Sequence, residues 1–164
     1  MSVKSTFLIA VGSIFFILGG PNAYSQTNGI FELTDGYFKS SSQPAHLIHD
    51  GIRIEVKLGS EYNLWLSFKV SEGVVANPCS VREEQPCKLI QQLVQKNSDG
   101  EEIYVTGWKN GLEFRTDESV GFSTSATLVP RSTTPLENVF LVMKIVKDDK
   151  EYFRKEWPVY VWAH

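Results

Sequence analysis

Val139-Phe140-Leu141-Val142-Met143-Lys144-Ile145-Val146-Lys147 runs through Asp148-Asp149-Lys150 and Glu151 into Tyr152-Phe153-Arg154-Lys155-Glu156-Trp157-Pro158-Val159-Tyr160-Val161-Trp162. Two long β-prone runs on either side of a short charged turn form a hairpin. The first run is apolar on both faces where it starts, as suits a strand covered on two sides. A three-residue loop sets Ile145 opposite Phe153, Leu141 opposite Trp157 and Val139 opposite Val159. Apolar pairs then share one face, and a one-residue slip would turn all of them to the other. Lys155 is the misfit, opposite Met143, where its stem can pack while its ammonium reaches water. Pro158 has no amide for a ladder, so an edge or a bulge is expected there. Tyr160 and Trp162 beyond it would make the strand end an aromatic edge open to a partner.

Upstream, Ile52, Ile54, Val56 and Leu58 alternate with Arg53, Glu55 and Lys57. After Gly59-Ser60-Glu61, Tyr62, Leu64, Leu66, Phe68 and Val70 alternate with Asn63, Trp65, Ser67 and Lys69. Each is a half-buried strand with one solvated face. Either they pair directly, Val56 against Leu64, or the chain crosses between two sheets at the turn. Ile30–Thr34 is a further strand, Asp35-Gly36 a turn signal, and Tyr37–Lys39 a segment that pairs back. Lys88–Lys96 fits a helix face through Leu89, Ile90, Leu93 and Val94. The turn signal Asn97-Ser98-Asp99-Gly100 and the strand Ile103–Thr106 after it favour a hairpin strand instead. Leu112–Arg115 and Ser119–Val129 complete seven to nine strands at intervals of about ten residues. The fold class expected is all-β: an immunoglobulin-like antiparallel β-sandwich with one short-loop disulfide.

The N-terminus is of another kind. Lys4 precedes the apolar stretch Phe7–Leu18, Gly19-Gly20-Pro21 breaks it, and Ala23-Tyr24-Ser25 supplies small residues for a cleavage site. This is the pattern of a secretory signal peptide, too short in its apolar part to span a bilayer. Residues 1–25 are expected to be removed, leaving residues 26–164 as one β-sandwich domain that is periplasmic or secreted, with no stable membrane insertion. Of 16 basic side chains Lys4 alone is lost, so 15 remain against 19 acidic ones, a net charge of −4. The acidic residues are dispersed, which argues against nucleic acid as a partner. Cys79 and Cys87 both lie in the exported part and are expected to pair. Closing so short a loop is worth about 2.5 kcal/mol in the chain-entropy model.

Chemistry finds little purchase. Gly121-Phe122-Ser123-Thr124-Ser125 lacks the second glycine of a nucleophile elbow. The adjacent carboxylates Glu83-Glu84, Glu101-Glu102, Asp117-Glu118 and Asp148-Asp149 sit in turns, not across a cleft. Nothing in the sequence asks for a cofactor, and the chain is not expected to be an enzyme. His46, His49 and Asp50 place two imidazoles and a carboxylate within five residues, a candidate copper or zinc site. On a strand, however, positions 46 and 49 would point to opposite faces. Recognition by exposed aromatics is the better-founded expectation. Trp65 lies on a polar face, Trp108 in a glycine-flanked turn, and Tyr160 and Trp162 near the C-terminus. Arg82, in the loop closed by Cys79 and Cys87, belongs to a second, pre-ordered surface. The chain thus reads as an exported, non-enzymatic binding protein, an inhibitor or immunity-type protein or an envelope accessory protein. Its partner would be another protein or an envelope component. The alternative is a periplasmic metal-binding protein using His46 and His49.

Overall fold

The computed structural model describes residues 29–40, 44–48, 52, 54–107, 111–127 and 136–162. Residues 1–25, read above as a signal peptide, and His49, Asp50 and Trp108 lie outside the described residues. What is described is all-β, in ten strands: β1 (Phe31–Ser40), β2 (Pro44–His46), β3 (Ile54–Lys57), β4 (Glu61–Val70), β5 (Cys87–Lys96), β6 (Glu102–Gly107), β7 (Leu112–Phe114), β8 (Ser119–Thr127), β9 (Val139–Lys147) and β10 (Lys150–Trp162). They form two sheets. One has the order β2-β1-β4-β8; the other has β3-β10-β9-β5-β6, with β7 also paired to β5. The pair β3–β10 is parallel; the other ladders are antiparallel.

The β9–β10 hairpin carries the register expected from its apolar pairs: Ile145 meets Phe153, Leu141 meets Trp157 and Val139 meets Val159. The turn is made differently. Lys147 already pairs with Lys150, so the loop is two residues long, and a bulge between Glu151 and Phe153 restores the alignment. Asp148 and Asp149 both take positive φ, at 50° and 59°. That is the backbone of the tight turns whose twist suits a hairpin, and Asp tolerates it better than most residues. Lys155 stands opposite Met143, and its Nζ lies 5.4 Å from the Trp157 ring centre.

Two expectations are corrected. Asp35-Gly36 is not a turn: β1 runs uninterrupted through it, with a bulge at Thr34, between Leu33 and Asp35, and with Asp35 accepting the Gly36 amide at 2.8 Å. A Cβ at Gly36 would come within 3.1 Å of Leu47 and 3.4 Å of Leu66, so glycine serves close packing here. The end of β10 is not an open edge, because β3 pairs with Val159–Trp162. Pro158 comes just before that parallel ladder begins, where β3 asks no amide of it. Of the two routes open to residues 52–70, the chain takes the crossing one. Val56 pairs with Val161 in one sheet and Leu64 with Phe38 and Thr124 in the other.

The core lies between the sheets. Leu64, Leu66 and Phe68 face Leu89, Leu93, Leu141, Met143 and Ile145, all of them buried. Burying each such side chain is worth about 1.5–3 kcal/mol against leaving it in water. Toward one end, Phe31, Phe68, Phe114, Phe122 and Phe153 meet edge to face at 5.2–6.2 Å between ring centres. The Trp157 indole donates to the Leu47 carbonyl at 2.8 Å, and the Leu47 amide donates to Gly36 on β1 at 2.7 Å. That short chain of bonds ties β10 of one sheet to β1 of the other.

Candidate functional site

The two outer faces of the sandwich differ in what their side chains do. On the six-stranded sheet, charged side chains occupy one another. Lys144 donates to Glu102 at 3.1 Å and Lys96 to Glu156 at 2.5 Å. Arg154 bonds both Glu102 and Glu156, and its Nη1 is 3.5 Å from Glu151. Burial alone would raise the carboxyls of Glu102 and Glu156. Hydrogen bonds from Arg154 and Lys144 to the first, and from Lys96 and Arg154 to the second, outweigh it and hold both below their ordinary range. Burial opposes the Arg154 charge too, and the two carboxylates more than restore it. Three cations thus face three carboxylates, leaving little for a ligand to recognise. Tyr160 stands on this same side, exposed, while Trp162 is half-buried with Lys57 Nζ 5.5 Å from its ring.

The outer face of the four-stranded sheet is arranged otherwise. The registers place His46, Tyr37, Trp65 and Ser123 in one row across β2, β1, β4 and β8. Trp65 is 42% exposed although it sits on a central strand, and the Tyr37 and His46 rings meet edge to face at 5.2 Å. The flanking rows are small or polar. Lys39, Asn63 and Ser125 stand on one side, Asp35, Ser67 and Gly121 on the other. The ion pair Glu32–Lys69, at 3.0 Å, closes one end. Strand alternation fixes the row, because Leu64 and Leu66 on either side of Trp65 are locked in the core.

The structure therefore separates the candidate binding residues. Trp65 lies on one outer face, Tyr160 and Trp162 on the other, and Arg82 on the exposed disulfide loop. Tyr37 was not singled out by sequence reasoning; the signal for it is its cross-strand match to Trp65, which needs the register. His46, a candidate metal ligand, packs its ring edge to face against Tyr37, while the other two candidates, His49 and Asp50, lie outside the described residues. Among the described residues, no group of three or more His, Cys, Asp or Glu side chains gathers to hold a metal ion.

Cys79 and Cys87 are bonded, with Cα atoms 5.3 Å apart, and both are buried. Their loop joins β4 of one sheet to β5 of the other and is tied down along its length. Asn77 accepts the Cys79 amide and donates to Thr116, Thr116 returns its amide to Cys79, and Arg115 donates to the carbonyls of Glu83 and Glu84. Lys147 holds Pro78 and Glu83 from β9. This geometry is that of a stapled connection between sheets.

No family model matches the chain, and no curated protein matches it in sequence. Its fold is nevertheless a known one. A Niemann-Pick type C2 protein from the Japanese carpenter ant superposes with a TM-score of 0.50 at 10% identity, over 86% of this chain and 100% of that one. The C-terminal domain of wzt gives a TM-score of 0.43 at 9% identity, over 84% and 77%. An immunoglobulin-like protein from Pseudomonas aeruginosa gives 0.34 at 16% identity, over 85% and 100%. The chain is an immunoglobulin-like β-sandwich with a disulfide. No helix among the described residues is long and apolar enough to cross a membrane. Fold and disulfide together are compatible with an extracellular binding protein.

Proposed function

We propose that this chain is an exported, non-enzymatic binding protein that docks a partner protein or an envelope component on the outer face of its four-stranded sheet. The observation that carries the reading is the row His46–Tyr37–Trp65 across three adjacent strands, with a large aromatic left in solvent on a central strand. Large amphipathic rings on a rigid support are the groups that dominate interface energies. Their positions are fixed by the core beneath, so little side-chain freedom remains to be lost on binding. Export is supported by the N-terminal stretch Lys4 to Ser25 and by the paired cysteines. An inhibitor or immunity-type protein and an envelope accessory protein both fit this description.

The test is capture of partners from an envelope or culture-fluid extract by purified tagged protein, run beside Trp65→Ala and Tyr160→Ala. Trp65→Ala is expected to weaken capture by about 30-fold, the loss of roughly 2 kcal/mol that a central aromatic supplies. Tyr160→Ala should leave it unchanged. Equal capture by wild type and Trp65→Ala would remove this face from consideration.

A further inference from the structure

Among the described strands, each sheet edge but one carries a device against unwanted strand pairing; β7 is three residues long and bears Glu113. β2 is three residues long and opens on Pro44. β3 bears Glu55 and Lys57, and its Glu55 carbonyl is taken by the Ser40 hydroxyl at 2.7 Å. The part of β10 ahead of β3 carries Lys150, Glu151, Arg154, Lys155, Glu156 and Pro158. β6 begins at Glu102. Short length, charge and proline are what natural proteins use to blunt an edge. β8 has none of them. It is nine residues long, Ser-Val-Gly-Phe-Ser-Thr-Ser-Ala-Thr, without charge or proline. It pairs with β4 along its whole length with no bulge, and no strand follows it in its sheet among the described residues.

We propose that β8 is the seam of a homodimer, in which the β8 strands of two copies pair antiparallel about a two-fold axis at Ser123. The sequence of the strand fits its own reverse. With the axis at Ser123, Val120 meets Ala126 and Phe122 meets Thr124 on the core side. Gly121 meets Ser125 and Ser123 meets its own copy on the outer side. Three of the four pairs join like with like, Phe122–Thr124 alone setting a ring against a hydroxyl already bonded to Gln91; no like charges oppose each other, and small outer residues leave room for close approach. A two-fold contact requires this self-complementarity, since the same patch must serve both subunits. A strand from an unrelated protein would need no such symmetry. The two four-stranded sheets become one of eight strands, and because Trp65 is in register with Ser123, the aromatic row continues through the axis. The two Trp65 positions then lie three strand spacings apart, about 14 Å.

The register makes a sharp test that needs no binding partner, so it stands or falls separately from the proposed docking face. Residues paired on the axis have Cα atoms about 4.5–5.5 Å apart, within disulfide reach. Ser123→Cys is therefore expected to form a covalent dimer under mild oxidation. Ser125→Cys, equally exposed, should not, because its copy lies about 14 Å away along the strand. In sedimentation velocity, wild type should show a dimer that Ser123→Lys converts to monomer. Asn63→Lys, on the same face but on central β4, should keep the dimer. Circular dichroism confirms that each variant is folded. Wild type that stays monomeric up to high micromolar concentration overturns the proposal, as does equal cross-linking of the two cysteine variants. A dimer that survives Ser123→Lys overturns it too.

Discussion

Gln91 places a side-chain amide in the middle of the core, and its environment permits a worked prediction. It points inward from β5 between Leu89 and Leu93 and stands opposite Met143 on β9. Across the sandwich, the Thr124 hydroxyl of β8 donates to its Oε1 at 2.6 Å. Gln91 is 3% exposed, and its Nε2 meets no acceptor among the described residues. Thr124→Val keeps the shape of the side chain and removes the donor, so Oε1 loses its partner and both ends of the buried amide are left unsatisfied. An unsatisfied buried polar group costs about 1–3 kcal/mol. Gln91→Leu by itself strips the acceptor from one hydroxyl and should cost less, because it also removes the orphaned amide nitrogen. The double variant Gln91→Leu/Thr124→Val leaves no polar group behind and should lie within about 1 kcal/mol of wild type, or above it. Urea unfolding followed by circular dichroism reads this out. With a slope of about 2 kcal/mol per molar, Thr124→Val should lower the midpoint by about 0.5–1.5 M, and the double variant should recover it. If the double variant loses the sum of the two single losses, the hydrogen bond across the sheets is not the coupling that this reasoning makes it.

Trp157→Phe removes the indole donor and leaves the Leu47 carbonyl buried without it; a loss of about 2–4 kcal/mol is expected in the same assay, combining the orphaned carbonyl with lost apolar area. A loss below about 0.5 kcal/mol would show that the link between β10 and β1 is dispensable. Glu102 and Glu156 titrate below their ordinary range in the folded state. Their stabilisation is therefore complete above the unfolded-chain value of about 4.3 and is lost as pH falls through the lower folded value. Stability measured from neutral pH down to about pH 3 should fall more steeply in wild type than in Glu102→Gln/Glu156→Gln, and parallel curves would refute the assignment. Cys79→Ala/Cys87→Ala should lose about 2–3 kcal/mol by urea midpoint without losing the fold, since the closed loop is short and hydrogen bonds tie it elsewhere.

The register of β9 and β10 was legible because Leu141, Ile145, Phe153 and Trp157 can meet in one alignment alone without turning the apolar set to water. The turn was misjudged by one residue because the bulge after Glu151 restores the alignment that a longer loop would give. Lys88–Lys96 looked half helical for a physical reason. Gln91 and Gln92 fall on opposite faces of β5, yet both are buried, while Val94 is buried on the outer side. A strand covered on both faces loses its period of two. Asp35-Gly36 has the composition of a turn, and no local signal distinguishes a turn from a strand that continues past a bulge at Thr34 and packs its glycine under Leu47. The candidate site divides in the same manner. Trp65 was found because it breaks a clean alternation of polar and apolar residues. Tyr37 and the role of His46 were not, because they join Trp65 through pairings between strands, which periodicity within a strand does not encode.

The contrast between the two outer faces argues for where recognition resides. Lys96, Lys144 and Arg154 could have attracted an anionic partner, but Glu102, Glu151 and Glu156 neutralise them within the fold, and any partner would have to break bonds already made. Trp65, Tyr37 and His46 face the opposite constraint. Their neighbours on β4 and β8 are serine, asparagine and glycine, with one charge of each sign, Lys39 and Asp35, on β1, and the apolar surface of Trp65 stays in contact with water. Removing that surface from water is a gain still to be had, at about 25 cal/mol for each Å² covered. One face has thus satisfied its side chains internally, whereas the other retains a favourable burial that the isolated chain leaves unmade. The β8 edge borders that second face. Among the described residues no strand pairs with the outer edge of β8, so an assembly through that edge would enlarge the aromatic face without covering it.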